Sequence, residues 1–309
     1  MKTIHFTTIA SDDYLFRIIV LYQSLIKNCK DFHLYILCAG EEGYLILSHF
    51  GWKHATLIQL SQIEEQSLLT AKSNRTHLEY CWTLKPAMMH YVMSTYPDAQ
   101  YFAHIDADMC FYSEPYQVFL ENLDASLFLT EHNNSPRLLY TNDLTGRFNT
   151  GFVGCKNDVT GFTAIEWWRN RCVEWCYTTN IVEAKLFGDQ RYVERWPIMF
   201  SNHHILRSPG VNTAHWNLEN YQVTLRDGKV LINNSPLICY HFSGLGIYNS
   251  REFNLSWLYT IPEPALRLIY IPYVEQLSKA VDIIQAFNPN FTKGFMIRGQ
   301  APECHYIRV

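Results

Sequence analysis

Two aspartates one residue apart, Asp106 and Asp108, close a short apolar and aromatic run, Tyr101 to Ile105, in the string YFAHIDADMCFYSEP. A run of this kind reads as a buried strand, and the ligands of α/β proteins gather at the carboxyl ends of such strands. Two carboxylates placed where a strand ends and the chain turns can both reach a hard divalent cation. Such a cation keeps open positions and is often completed by substrate phosphates. The same string also describes a pair of solvated turn aspartates, so its meaning depends on what else the chain brings to that place. A second polar group, Glu131-His132-Asn133, follows the apolar run Ala125 to Thr130, and His241 ends a last apolar strand, Pro236 to Phe242.

The elements that must position these groups begin with a strand over Thr3 to Ile9. A helix follows over Tyr14 to Leu25, with Leu15, Ile18, Ile19, Tyr22 and Leu25 on one face and Ser11 and Asp12 as candidate caps. Phe32 to Cys38 is a second strand, Glu41 to Phe50 a helix and Ala55 to Leu60 a third strand. This β-α-β-α-β order predicts a mostly parallel sheet covered by helices. The first loop reads I-A-S-D-D-Y rather than G-x-G-x-x-G, which counts against a dinucleotide dehydrogenase. Thr76 to Thr95 contains a helix, with Pro86 expected in its first turn or at a kink. Arg147 to Cys155 is a strand entered from a turn, Thr163 to Trp175 a helix, and a short helix can start after Gly188. Tyr221 to Asn233 reads as a hairpin turning through Asp227-Gly228. Ala265 to Phe287 is an amphipathic helix that packs on its own domain or meets a partner or membrane face.

A chain of 309 residues allows one large domain, or a domain with a substantial appendage. Only 17% of residues are charged and the formal net charge is −4, so no global basic field draws it to nucleic acid. The 20 tyrosines and 8 tryptophans suit aromatic-lined clefts as well as a core. MKTIHFTTIASDDY has one lysine and no long apolar stretch before Asp12 and Asp13, which makes a poor signal peptide. No stretch approaches the roughly 20 apolar residues of a membrane span. Nine cysteines, an odd number, read as free thiols of a reducing, cytoplasmic compartment. Cys172 and Cys176 read as core residues rather than as half of a zinc site.

Taken in order, FTTIASDDY, LKPAMMHYV, HIDADMCF, FNTGF, GDQRYVE and YHFSG resemble the motifs of GT-A glycosyltransferases that use nucleotide-sugar donors, and among these glycosyltransferase family 8. The resemblance runs from Ile4 to about Gly246. It implies a Rossmann-like mixed α/β sheet, the nucleotide-diphospho-sugar transferase fold, with a C-terminal helical extension. The catalytic domain would cover 1–250. The extension, 251–309, would pack on it or serve the acceptor or membrane side. The resemblance further implies that Asp106, Asp108 and His241 hold one Mn²⁺ or Mg²⁺, with Asp106 also near the ribose or sugar. Thr8, Ala10, Asp13 and Tyr14 would surround the base and ribose. Lys85 would sit near the diphosphate or pair with a site carboxylate. Asn149, Thr150 and Gly151 would lie against the sugar and acceptor together with the catalytic candidates Glu131, Asp189 and Gln190. Gln190 would bring its carbonyl oxygen to the anomeric carbon. Asp189 or Glu131 would serve as base in an inverting reaction, although the family label favours retention.

The sequence departs from the family pattern in two places. The family's A-D-D-N-Y is here Ala10-Ser11-Asp12-Asp13-Tyr14, which leaves open which aspartate reads the base and whether that base is uracil. The family's H-x-x-G-x-x-K-P-W has no lysine counterpart after His241, so Lys85 or Arg251 is the candidate phosphate cation. His215 and Trp216, in HHILRSPGVNTAHWNLENY, are candidates for acceptor or donor-loop contacts. The implied activity is transfer of a hexosyl residue from a UDP-sugar to a glycan or glycolipid. In a bacterium this would suit lipopolysaccharide or capsule assembly at the inner face of the cytoplasmic membrane. A sugar-phosphate nucleotidyltransferase would want a glycine-rich basic loop after the first strand, which is absent. A non-catalytic nucleotide-sugar or glycan-binding protein would have no evident need for Asp106, Asp108, His241, Asp189 and Gln190 together.

Overall fold

The computed structural model describes residues 3–309; Lys2, the lysine of the amino-terminal reading, lies outside them. Eight strands precede the helix-poor middle of the chain: β1 Ile4–Ala10, β2 Phe32–Cys38, β3 Ala55–Gln59, β4 Tyr101–Ile105, β5 Met109–Phe111, β6 Leu127–Glu131, β7 Phe148–Lys156 and β8 His203–Ile205. All but β5 form one seven-stranded sheet in the order β3-β2-β1-β4-β7-β6-β8. β1 runs parallel to β2 and β4, whereas β7 is antiparallel to β4 and β6, so the sheet is mixed. Every residue of β1 and β4 is buried. Strands covered on both faces lose the alternation of apolar and polar residues, and neither of these two carries Asp, Glu, Lys or Arg.

Helices α1 Leu15–Asn28, α2 Glu41–Ser48, α3 Gln66–Ser73 and α4 His77–Thr95 connect the first four strands. α3 was not expected: QSLLTAKS is short and buries only Leu68 and Ala71, too few for a helical stripe. Nor do Ser11 and Asp12 cap α1. A 3₁₀ turn over Asp12–Tyr14 leads into that helix without a side-chain cap. Asp12 Oδ1 instead accepts the Gly43 N–H at 2.9 Å, in the first turn of α2, and so caps the neighbouring helix. Pro86 lies in the interior of α4 rather than in its first turn, and the helix runs through it. Burial of Leu84, Lys85, Pro86, Ala87, Met88 and Met89 around it outweighs the backbone bond that the proline forgoes.

In the hairpin Val223–Arg226 to Lys229–Ile232, Asp227 and Gly228 have φ of 50° and 72°, the paired positive values of a type I′ turn. The helix Ile271–Phe287 buries Tyr273, Val274, Leu277, Val281 and Ile284 and packs against α1. A single π-helical turn, Leu266–Tyr270, precedes it. Strands Glu252–Ser256 and His305–Arg308 pair on either side of this segment, so the region beyond 250 carries strand as well as helix. No helix among the described residues is long and apolar enough to cross a membrane. All nine cysteines are free, with Cys172 and Cys176 fully buried.

The amino terminus of α4 is held by a capping box between Thr76 and Glu79. The Glu79 carboxylate accepts the backbone N–H and hydroxyl of Thr76, both at 2.9 Å, and those of Thr178, both at 2.8 Å. Burial favours its neutral acid, but these four bonds outweigh that and hold its pKa at about 2. A carboxylate depressed in the folded state contributes stability that is present above its unfolded pKa and is lost as pH falls through the folded one. Glu79→Gln should therefore lower stability at neutral pH by on the order of 1–3 kcal/mol. In thermal melts its deficit should shrink steadily from about pH 5 down to about pH 2.

Candidate active site

β4 ends at Ile105, and the chain turns through Asp106-Ala107-Asp108 before running back as β5. The Asp106 N–H donates to the Gly151 carbonyl at 2.9 Å, and the Met109 N–H donates to the Asp106 carbonyl at 3.1 Å. β5 pairs antiparallel with the strand Cys239–His241 in a register that sets His241 opposite Met109, the residue after Asp108. That ladder carries an imidazole from far along the chain to the two carboxylates. His241 Nε2 lies 3.1 Å from Asp108 Oδ1 and 3.8 Å from Asp106 Oδ2. Among the described residues these three form a cluster whose ligand atoms all lie within 4.8 Å of one another. Two carboxylate oxygens and one imidazole nitrogen fit a borderline-hard divalent cation such as Mn²⁺ or Mg²⁺, with positions left for other oxygen ligands.

A second layer orients the imidazole. Asn212 Oδ1 accepts a hydrogen bond from His241 Nδ1 at 3.1 Å, while Asn212 Nδ2 donates to Asn149 Oδ1 at 2.9 Å and to Thr130 Oγ1 at 3.2 Å. With the proton on Nδ1, the lone pair of Nε2 is left on the side of the aspartates, as a metal ligand requires. Asn212 is fully buried and has φ of 57°, a conformation that asparagine tolerates better than most residues. Gly151 has a related purpose. A Cβ there would lie 2.5 Å from His241 Cε1 and Nδ1, so the imidazole occupies the space that any other residue would fill. β7 bulges at this point. Its pairing with β6 jumps from Leu129↔Val153 to Thr130↔Asn149, and Thr130 Oγ1 lies 3.0 and 3.2 Å from the Asn149 and Phe152 carbonyl oxygens. The extra residues turn Asn149 and Thr150 toward the cavity.

Lys85, from α4, places Nζ 2.7 and 3.0 Å from the two Asp106 oxygens and 3.9 Å from Asp189 Oδ2. Burial works to raise the Asp106 pKa, but the Lys85 charge and the hydrogen bond from His104 outweigh it and hold Asp106 well below the usual carboxylate range. Burial works to lower Lys85, and Asp106 and Asp189 reverse that, so the lysine stays charged. Asp189 differs: burial raises its pKa, with only partial opposition from Lys85 and from the Thr150 hydroxyl 2.6 Å away. Burial also lowers the pKa of His104. As a neutral ring it can bond both Asp106 Oδ1 and Thr7 Oγ1, each at 3.2 Å. For His241, burial acts to lower the pKa and the Asp108 charge overcomes it; the proton thus attracted is what a divalent cation would replace.

These groups face a cavity of about 400 Å³. Of the residues expected from the sequence, Asp13, Tyr14, Lys85, Asp106, Asp108, Asn149, Thr150, Asp189, Gln190, Trp216 and His241 line it. Thr8 and Ala10 are fully buried in β1 beneath the cavity, whose rim is formed by Ile9 and Ser11 instead. Glu131 does not line this cavity: it lies in a separate polar cleft with Asn133, Asn142 and Arg191, ion-paired to Arg147. Arg251, the other candidate phosphate cation, does not line this cavity; its guanidinium is bonded to Ser278 and Asp282. His215 sits behind Trp216 and Trp257 in edge-on contact, with its pKa lowered by burial to about 4. The sequence reading missed His104, Asn212 and Thr130, whose roles come from contacts across strands. It also missed Cys81, Trp82 and Phe187, which form an apolar wall. The positive φ of Asn212 and the bulge leave no mark in a single sequence.

Because the imidazole needs the space at Gly151, Gly151→Ala should weaken Mn²⁺ binding to the protein at least about tenfold, as loss of a ligand's support does. Titration followed by electron paramagnetic resonance of free Mn²⁺ would check this, and equal affinity in the two proteins would contradict the role given to the glycine.

No protein-family model matches the chain. Among solved structures, the galactosyltransferase LgtC in complex with donor and acceptor sugar analogs superposes with a TM-score of 0.57 at 13% identity, covering 89% of this chain and 95% of that one. At that identity the likeness establishes the fold, which is GT-A, with its central, mainly parallel sheet. Relatives in sequence are nearer. YfnD of Bacillus subtilis (strain 168), an uncharacterized protein, is 48% identical over 310 residues, all of both chains. YfnF of the same organism, also uncharacterized, is 30% identical over 293 residues, 93% of this chain and 95% of its own length. Identity of that extent places the chain in one family with them: it belongs to the YfnD/YfnF family and carries the GT-A fold.

Proposed function

We propose that this protein is a metal-dependent glycosyltransferase that moves a hexosyl residue from a UDP-sugar to a glycan or glycolipid acceptor, with retention at the anomeric carbon. The observation that carries the reading is the convergence of Asp106, Asp108 and His241 in a cavity that also holds Lys85, Asp189 and Gln190. Asp106, Asp108 and His241 would hold Mn²⁺ or Mg²⁺, which when bound neutralises the charge that develops on a departing nucleoside diphosphate. Asp13 and Tyr14 flank the cavity where a base and ribose would lie. Lys85 fixes Asp106 and adds a positive charge beside it. Asp189 is fixed by Thr150 and, through its backbone carbonyl, by the Trp168 indole N–H at 2.9 Å, and it can bond sugar hydroxyls.

Gln190 is held by its amide nitrogen, which donates to the Thr145 carbonyl at 2.6 Å. Its carbonyl oxygen remains for the cavity and can stabilise positive charge at the anomeric carbon in an oxocarbenium-like transition state. Glu131, one candidate for the base of an inverting reaction, is outside the cavity and neutralised by Arg147. The other, Asp189, is engaged by Thr150 and Lys85. That favours retention, with a leaving phosphate oxygen taking the acceptor's proton. Assembly of lipopolysaccharide or capsule at the inner face of the cytoplasmic membrane is the setting that a glycolipid acceptor would give the reaction.

The test is a screen of nucleotide sugars for release of nucleoside diphosphate with Mn²⁺ and no acceptor. Slow hydrolysis of one UDP-sugar is expected. Chelation should abolish it and added Mn²⁺ should restore it. Asp108→Asn should reduce turnover by at least about 100-fold while the melting temperature stays within a few degrees. Equal turnover by metal-stripped protein would sink the reading.

A further inference from the structure

We infer that Arg17, in the first turn of α1, is a positioning residue that fastens together the two segments flanking the cavity and backs the Tyr14 ring on which a nucleoside would lie. The inference rests on the transferase reading in one respect, that the ligand is a nucleotide. The Arg17 side chain is only 7% exposed. Its Nη2 donates to the Leu245 carbonyl at 2.6 Å, its Nη1 reaches the Asp13 carbonyl at 3.5 Å, and its guanidinium lies 4.6 Å from the centre of the Tyr14 ring. Nε is buried without a partner. Among the described residues no carboxylate pairs with this guanidinium, although a buried guanidinium is ordinarily held by one.

Its two carbonyl partners belong to different segments that both reach the cavity. Asp13 and Tyr14 line it from the segment after β1, and His241 and Ser243 line it from the segment that reaches Leu245 two residues later. A planar guanidinium can bond two carbonyls in its plane and present its face to a ring, which the point charge of a lysine ammonium cannot do. The link therefore holds the nucleoside side and the metal side of the cavity at one spacing. It also leaves a positive charge behind the Tyr14 ring, next to a wall short of such charges. Asp13, Asp106, Asp108 and Asp189 line the cavity, against Lys85, which is committed to Asp106. At the place where the resembled family carries its lysine, Ile247 is buried and paired with Phe253.

The test compares wild type, Arg17→Gln and Arg17→Lys for Mn²⁺ binding alone, for UDP binding in the presence of Mn²⁺, and for the KM and kcat of donor hydrolysis. Mn²⁺ affinity should be unchanged in both variants, since Arg17 touches no candidate ligand. UDP affinity should fall on the order of tenfold or more in Arg17→Gln. Arg17→Lys should recover only part of it, and the loss should appear in KM with kcat within about threefold of wild type. A general loosening of the fold would move Mn²⁺ affinity, kcat and melting temperature together, and that result would overturn the proposal. So would wild-type UDP affinity in Arg17→Gln, full recovery in Arg17→Lys, or failure of both variants to fold. A wild-type protein that binds Mn²⁺ but no UDP would sink the transferase reading and this one with it. A wild type that binds UDP as tightly as Arg17→Gln sinks only the role of Arg17.

Discussion

The short antiparallel ladder between β5 and Cys239–His241 is the constraint on which the site depends. A metal ligand set drawn from Asp106, Asp108 and His241 needs two segments far apart in the chain to meet within a few ångströms. Pairing by backbone hydrogen bonds is the means by which a chain fixes such a meeting to the residue. His241 is set opposite Met109, and the next residue, Phe242, donates its N–H to the Asp108 carbonyl at 2.9 Å. A slip of one residue in this register would turn the imidazole to the other face. The strand Thr213–Ala214 runs parallel on the far side, Ala214 beside His241, and so delivers Asn212 behind the ring. Register fixes the position of the imidazole; Asn212 fixes its tautomer.

Charge is the second constraint. Asp106, Asp108 and Asp189 converge on one cavity with Asp108 and Asp189 buried, and uncompensated carboxylates there would be costly. The compensation is uneven. Lys85 and His104 commit themselves to Asp106, leaving Asp108 to His241 and Asp189 to a hydroxyl and a more distant ammonium. The two sides of the cavity consequently differ. The Asp106 side keeps its ionised form, with a raised imidazole pKa that a cation would relieve, whereas Asp189 is pushed toward its neutral form. Like-named residues thus acquire separate chemistry from their surroundings alone.

Much of the fold was legible because the parallel strands are buried on both faces. Phe32 to Cys38 and Tyr101 to Ile105 have in the structure the bounds that the sequence predicts, since apolar and aromatic runs interrupted only by a histidine and ending at turn residues have few other readings. Of the cavity's lining, the residues contributed by short motifs could be read: Asp106, Asp108, Asn149, Thr150, Asp189, Gln190 and His241. Those that act by supporting another side chain could not, because neither His104 nor Asn212 differs as a residue type from a buried polar residue elsewhere. Glu131 shows the opposite failure. Its place at the end of a strand suggests the reacting centre, but Arg147, sixteen positions along and just before the paired strand, holds it in another cleft. Asp12 and Pro86 fall in the same class, since local capping and proline rules gave way to tertiary partners.

The carboxy-terminal segment bears on the cavity despite standing outside every motif. Lys293 Nζ lies 2.7 Å from Asp12 Oδ2 and 2.8 Å from Glu42 Oε2, but its side chain is 52% exposed, and ion pairs of that kind contribute little, about 0–1 kcal/mol. The aromatic contacts weigh more. Phe291 meets the buried Phe16 edge-on and Phe295 stacks on it, with ring centres 5.6 and 5.4 Å away. Burial of such rings is worth about 1.5–3 kcal/mol each. Met296 donates its N–H to the Ile247 carbonyl at 2.7 Å, in the segment that follows His241. The segment after the last long helix therefore touches both segments that Arg17 joins, one through Phe16 and the other through Ile247. Asp13 and Tyr14 follow β1 of the large sheet whereas His241 ends a strand of a separate three-stranded sheet, and a cavity drawn from two sheets needs such ties, because the strands themselves hold only the bases of those segments.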